Sequence, residues 1–300
     1  MKTLALCGSL LAALLLTASR PAPTAVSFGF PDGVALDAAG TLYVVDTDNG
    51  VVQKVDATGA ATPLAAGPLA YPTGVAVGPT GTVYVADAGS HSIVQVGPAS
   101  PPTTLVRGHG LVYPAAVAVD AAGNVYVADA GAGPNTGTVQ KVSPNGSLTT
   151  LAKGLNKPAG IAVSAQGVVY VADTDNNTIR QLMPGKPAEL LAAAFNHPRG
   201  LALDATGNLL VANTYDNNIR RVSPTGQVSL LAEGLHFPAG LAADAAGAVY
   251  VSDTGTNSLR KISPGGVIST LAGGSAPEAT PAAPPANVAA TRADSTQRKQ

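Results

Sequence analysis

Between Phe30 and Gly274 the chain repeats one unit six times. That repetition limits it to an array of small supersecondary modules. The opening prolines Pro31, Pro72, Pro114, Pro158, Pro198 and Pro238 recur about every 40 to 44 residues. The copy KPAGIAVSAQGVVYVADTDNNTIRQL, from Lys157, shows the content most fully. Pro158-Ala159-Gly160 punctuates and Ile161-Ala162-Val163 is a short apolar strand. Gln166-Gly167 turns the chain into Val168–Ala172, a second apolar, β-branched strand with one tyrosine. The polar turn Asp173–Asn177 leads to Thr178–Leu182, which alternates apolar with polar as a half-buried strand does. Glu189–Ala192 is a shorter outer strand. The second strand recurs as LYVVD (42–46), VYVAD (83–87), VYVAD (125–129), VYVAD (169–173), LLVAN (209–213) and VYVSD (249–253).

Apolar content falls from the first two strands to the last two, which predicts inner strands packed on both faces and outer strands meeting water. One such unit cannot bury both faces of its sheet, whereas six stacked in a ring can, and closure removes most exposed edges. The predicted fold is all-β: a six-bladed β-propeller of four-stranded antiparallel blades. In that up-and-down order, the loop that opens each blade and the loop joining its second and third strands emerge on the same face. The residues after the prolines, Asp32, Thr73, Ala115, Ala159, Arg199 and Ala239, therefore ring one mouth of the channel. Only Asp32 and Arg199 among them are charged.

The copies PAGIAVSAQGVVYVADTDNNTIRQL and PAGLAADAAGAVYVSDTGTNSLRKI, with VISTLAGG at 267–274, resemble the NHL repeat over almost the whole predicted mature chain. The resemblance implies a closed propeller used as a binding platform. The nearest-looking relatives are the extracellular propellers of bacterial transmembrane serine/threonine kinases. Peptidyl-amidoglycolate lyases resemble this repeat and place zinc-binding histidines directly after the opening proline; the six residues there include no histidine. Gluconolactonase-like propellers use an inward Glu/Asn/Asp metal set. Only Glu189, Glu233 and Glu278 are available, and Glu233 alone lies in an opening loop, so that site is not expected. RNA-binding NHL proteins use a strongly basic face; with 17 Lys+Arg against 18 Asp+Glu, nucleic acid is not an expected partner.

Met1-Lys2-Thr3 followed by apolar Leu4–Leu16 reads as a secretory signal, with residues 1–19 removed. An uncleaved surface anchor is the alternative. Cys7 is the only cysteine, so the mature chain is expected to have no disulfide and no thiol chemistry. Residues 20–29 read as a lead-in, residues 30–274 as the propeller, and residues 275–300 as a disordered Ala/Pro/Thr-rich tail. Whether Val26-Ser27-Phe28 adds a strand to close the ring is left open by the sequence. The expected product is an exported monomer with no stable membrane insertion.

The repeated aspartates Asp46, Asp87, Asp129, Asp173 and Asp253 read as structural turn acceptors. Asp46–Gly50 and Asp173–Asn177 resemble the start of a calcium loop but lack the later bidentate glutamate. His109, His197 and His236 stand five, one and two residues before their prolines, a spacing that does not direct them to one metal. Neither a metal nor a cofactor is expected, and no catalytic residue is assigned. The candidate ligand-binding residues are Asp32, Arg107, His109, His197, Arg199, Tyr215, Asp216, His236 and Phe237, with Arg199 available to a carboxylate or phosphate. Tyr215 and Phe237 are the apolar anchors. The reading is a ligand- or protein-binding platform. The alternative is a metal-dependent lyase or lactonase-type hydrolase with its site at the channel mouth.

Overall fold

The computed structural model describes residues 26–64, 67–97 and 101–274. The expected signal (1–19), the first part of the lead-in and the tail (275–300) lie outside them. The described chain forms six four-stranded antiparallel sheets, each an uninterrupted meander of four consecutive strands. It is a six-bladed β-propeller. Among the described residues no helix is long and apolar enough to cross a membrane.

The first strands, Pro31–Leu36, Pro72–Val77, Pro114–Val119, Gly160–Val163, Pro198–Leu203 and Pro238–Ala243, line the axis. The second strand of each blade is apolar on both faces because it lies between neighbouring sheets. Leu42–Asp46, Val83–Asp87 and Val125–Asp129 are buried at every position. The outermost strands are largely exposed. The burial gradient therefore peaks at the second strand, since one face of the first strand looks into the channel.

Six apolar clusters hold the ring together, one at each blade–blade interface. Each includes one residue from just ahead of a first strand: Phe28, Leu69, Leu111, Leu155, Phe195 or Leu235. Phe28 answers how the ring closes. It adds no strand; it is buried at the seam with Leu259 and Ala272 of the last blade, as its counterparts are at the other seams.

At the axis the inner strands touch backbone to backbone. A Cβ added at Gly160 would fall on the Arg199 carbonyl oxygen, at Gly200 on that of Ala239, and at Gly240 on that of Asp32. At Gly33 and Gly74 it would come within 2.9 Å and 2.8 Å of the next blade's Cα. Glycine is required there for close approach. Hydroxyls staple the same layer: Thr73, Thr174 and Thr214 Oγ1 donate to the carbonyls of Pro114, Pro198 and Pro238 at 2.9, 2.8 and 2.8 Å. The seam between blades 6 and 1 is closed by Ser252 Oγ donating to the Asp32 carbonyl at 2.5 Å, and Thr254 Oγ1 to that of Pro31 at 2.6 Å.

The repeated acidic column holds the opening loops in place. Asp46, Asp173 and Asp253 accept backbone N–H bonds from Gly29, Asn156 and His236 at 2.7, 2.7 and 2.5 Å; Asn213 does the same for Asn196 at 2.6 Å. The donors lie chiefly upstream, in the opening loop, rather than in the following turn. The second oxygens of Asp46 and Asp173 take the side-chain amides of Asn49 and Asn176. The two calcium-like stretches thus use their first carboxylates as loop clamps.

Gly200→Ala should lower the unfolding free energy by about 3 kcal/mol, because its methyl has only backbone to displace. Gly133→Ala, where nothing lies within 4 Å, should change it by less than about 0.5 kcal/mol. Urea unfolding of both variants checks this; equal effects would contradict the backbone-contact account.

Candidate functional site

The six residues after the opening prolines line one cavity, as the strand order requires. Asp32, Thr73, Ala115, Ala159, Arg199 and Ala239 form its rim, with the glycine layer beneath. Its volume is about 50 Å³, enough for a few waters or one functional group of a ligand. Thr73 spends its hydroxyl on the Pro114 carbonyl, so Asp32 and Arg199 supply the free polar side chains of this inner ring.

Those two are 167 residues apart in sequence, on blades 1 and 5, and meet across the mouth. Arg199 Nη2 donates to both Asp32 oxygens, at 2.9 and 3.1 Å. Nη1 and Nε are not used in these bonds. The side chains are 25% and 12% exposed, so the pair is sheltered yet reachable from the mouth. Burial pushes the Asp32 carboxyl above its ordinary range, while the Arg199 guanidinium pulls it back down. Asp32 in turn holds Arg199 more firmly protonated.

Around this pair stands a second ring, made by the residues immediately before the prolines: Phe30, Tyr71, Tyr113, Lys157, His197 and Phe237. Phe30, Lys157, His197 and Phe237 hold positive φ, from 47° to 59°. Left-handed backbone is uncommon for such residues, and here neighbouring turns impose it. Asn177, Asn217 and Asn257 of the preceding blades accept the backbone N–H of His197, Phe237 and Phe30 at 2.7, 2.8 and 3.2 Å. Tyr71 and Tyr113 sit with ring centroids 6.5 Å apart. Burial, then Tyr71, Asp32 and the hydrogen bond with Tyr71, push the Tyr113 hydroxyl well above its ordinary range.

On blades 5 and 6 the rim is aromatic. His197 stacks on Tyr215 at 4.2 Å and 7°, and Tyr215 meets Phe237 edge-on at 6.1 Å. Tyr215 is 36% exposed. His197 Nδ1 lies 3.6 Å from Asp175, which also pairs with Lys157 at 3.5 Å. Burial, reinforced by the Arg199 charge, lowers the His197 pKa to about 4 against the pull of Asp175, so the ring is neutral at pH 7.

The structure thus gathers five of the residues singled out in the sequence: Asp32, Arg199, His197, Tyr215 and Phe237. Asp216 braces the rim from outside, accepting from Asn196 and Asn213 side chains at 2.9 and 2.7 Å. Arg107, at the end of the outer strand Thr103–Arg107, and His109 and His236, in opening loops, are exposed, and their side chains make no hydrogen bond or ring contact among the described residues. Tyr71 and Tyr113 were missed. Their signal was the pre-proline column itself, aromatic in five of six blades if histidine is counted.

Among the described residues no group of three or more His, Cys, Asp or Glu gathers as metal ligands. The one carboxylate on the mouth's inner ring, Asp32, is already neutralised by a guanidinium 2.9 Å away. This donor set does not fit a divalent cation, which needs several oxygen ligands.

The family profile that matches the chain is the SMP-30/Gluconolactonase/LRE-like region, over residues 81–233, just over half of the chain. The NHL assignment is not confirmed by it. The scarcity of glutamate, which set this chain apart from gluconolactonase-like propellers, reports on a metal set and not on the family. No curated protein sequence matches. Among solved structures, a virginiamycin B lyase from Staphylococcus aureus is 14% identical, with 81% of this chain and 84% of that one covered and a TM-score of 0.62. A gluconolactonase from Xanthomonas campestris is 20% identical, with 76% and 84% covered and a TM-score of 0.65. A structure of the nidogen/laminin complex contains a chain 23% identical, with 74% and 89% covered and a TM-score of 0.66. These likenesses establish the shared propeller fold.

A neutral histidine in the native state makes stability pH-dependent. Its folded pKa of about 4 lies below the ordinary 6.5, so the unfolded chain binds the extra proton in between. The contribution is fully present above about pH 6.5 and is lost as pH falls towards about 4. His197→Phe, which keeps a ring for Tyr215, should flatten the decline in urea midpoint across that window. An unchanged decline would contradict the assignment.

Proposed function

The chain belongs to the SMP-30/gluconolactonase/LRE-like family, and from that premise we propose that its mouth acts on a small molecule, as a lactonase-type hydrolase or a lyase. The observation that carries this reading is the Asp32–Arg199 pair. It is a proton acceptor and a fixed cation, 2.9 Å apart, lining a cavity that admits one functional group. Placed there, a substrate carbonyl oxygen accepts from the guanidinium. Negative charge that develops on that oxygen is stabilised in the transition state more than in the ground state.

Asp32 is the general base. Its carboxyl, shifted upward by burial, moves towards the range where proton transfer is efficient. In hydrolysis it takes a proton from the attacking water and returns it to the departing ring oxygen. In elimination it takes the proton from the carbon beside the carbonyl and passes it to the leaving group. Both reactions need the same two groups in the same places, and neither routes a step through a metal ion. The described donor set is the reason for departing from the metal-dependent expectation.

A second reading keeps the same face as a binding platform without turnover. It is favoured by the partly exposed His197–Tyr215–Phe237 cluster, in which Tyr215 offers apolar anchor area outside the cavity. Export behind a cleaved signal and a monomeric state are proposed with either reading, on the sequence of residues 1–19 and on the completeness of the ring.

Turnover of a panel of lactones, followed by acid release with chelator present, tests the main reading, together with ultraviolet detection of conjugated alkenes from acyloxy carbonyl compounds. Asp32→Asn and Arg199→Gln should each lower kcat/KM by about 10² to 10⁴-fold while leaving the fold intact by circular dichroism. Turnover that survives both substitutions would remove these roles. Saturable binding with no turnover on any substrate would leave the platform.

A further inference from the structure

The mouth also restricts the ligand's chemistry, and this inference rests on the small-molecule reading above. Asp32 and Arg199 present one negative and one positive group side by side where they meet across the mouth, each partly reachable. An anion drawn to Arg199 meets Asp32, and a cation drawn to Asp32 meets Arg199. A neutral group with an acceptor beside a donor satisfies both at once.

The rim adds no net charge. Lys157 is 3.5 Å from Asp175, Asp216 is 3.7 Å from Arg220, and His197 is neutral at pH 7. What the rim adds is aromatic surface: His197 stacked on Tyr215, with Phe237 against the tyrosine edge. A cavity of about 50 Å³ takes the polar group alone, so the ring that carries it stays at the rim. Only Pro198 separates His197 from Arg199, and only Pro238 separates Phe237 from Ala239; Arg199 and Ala239 both line the cavity, so the aromatic surface borders it.

We propose that the site takes a neutral, flat ring compound with an N–H or O–H next to a carbonyl, such as an unsaturated lactam or a cyclic imide. The carbonyl accepts from Arg199, the adjacent donor is taken by Asp32, and the ring face lies on the aromatic rim of His197, Tyr215 and Phe237.

The test uses small probes and the full chain, read by ligand saturation-transfer and backbone amide shifts. 2-Pyridone carries the donor and acceptor side by side on a flat ring. N-methyl-2-pyridone lacks the donor, 2-piperidone lacks the flat ring, and benzoate replaces the neutral group with an anion. 2-Pyridone should bind about tenfold more tightly than each of the other three, since a charged acceptor left without its partner, or a lost ring contact, costs about that factor. Asp32→Ala, which removes the acceptor, should abolish the preference over N-methyl-2-pyridone, and Tyr215→Leu should weaken 2-pyridone about fivefold or more without moving 2-piperidone, which has no flat ring to lose. Benzoate binding best at the mouth would overturn the neutral-ligand class and leave the small-molecule site standing. No amide shift at Asp32, His197 or Arg199 with any probe at millimolar concentration would overturn both.

Discussion

The contact on which this structure depends is backbone against backbone at the propeller axis. Gly33, Gly74, Gly160, Gly200 and Gly240 let each inner strand lie on the carbonyl or Cα of the next. Glycine costs conformational entropy in a strand, and it is retained where two backbones must meet. That approach brings the threonine and serine hydroxyls of one blade onto the opening carbonyls of the next. It also sets the blade spacing at which the six apolar clusters close. The opening loops inherit their positions from this layer, clamped further by the Asp or, in blade 5, the Asn at the end of the second strand.

A ring so regular makes its irregular residues informative. Four of the six rim positions after the prolines are Thr or Ala; the other two are Asp32 and Arg199, and the fold brings them together. A partly buried ion pair is weak evidence for stability, because desolvation offsets much of the attraction. Its position is better explained by the chemistry it offers to a ligand: a cation and a proton acceptor held on strands, lining the cavity at the opening-loop end of the channel. The family resemblance and the donor set then point in different directions on metal use. The chain keeps the architecture while its mouth carries an organic pair in place of a cluster of oxygen ligands.

Much of this was legible in the sequence. The second strands of the type VYVAD, their 40-residue spacing and the punctuating prolines together specify the six four-stranded blades. Strand order alone places Asp32, Thr73, Ala115, Ala159, Arg199 and Ala239 around one mouth. Three things were less accessible. The contact of Asp32 with Arg199 depends on side-chain reach past the blade between them, which spacing does not encode. The ring as a whole was hidden: His197 and Phe237 stood out in the sequence, but Phe30, Tyr71 and Tyr113, which precede their prolines in the same way, read singly as loop residues. Phe28 lies in a stretch without strand periodicity, and only its place in the repeat column of Leu69, Leu111 and Leu155 marks it as core. The family was obscured for another reason: the repeat's surface pattern resembles NHL copies, while the matching profile extends across blades 2 to 5.

A double-mutant cycle between Asp32 and Arg199, read from urea unfolding of the wild type, Asp32→Asn, Arg199→Gln and the double variant, tests the central claim most directly. The account predicts a coupling of about 1 to 2 kcal/mol, because the two side chains are sheltered, in contact and, among the described residues, in no other ion pair. Single-variant effects that add to the double-variant effect would contradict it, and would mean that the two charges do not form one preorganised group at the mouth.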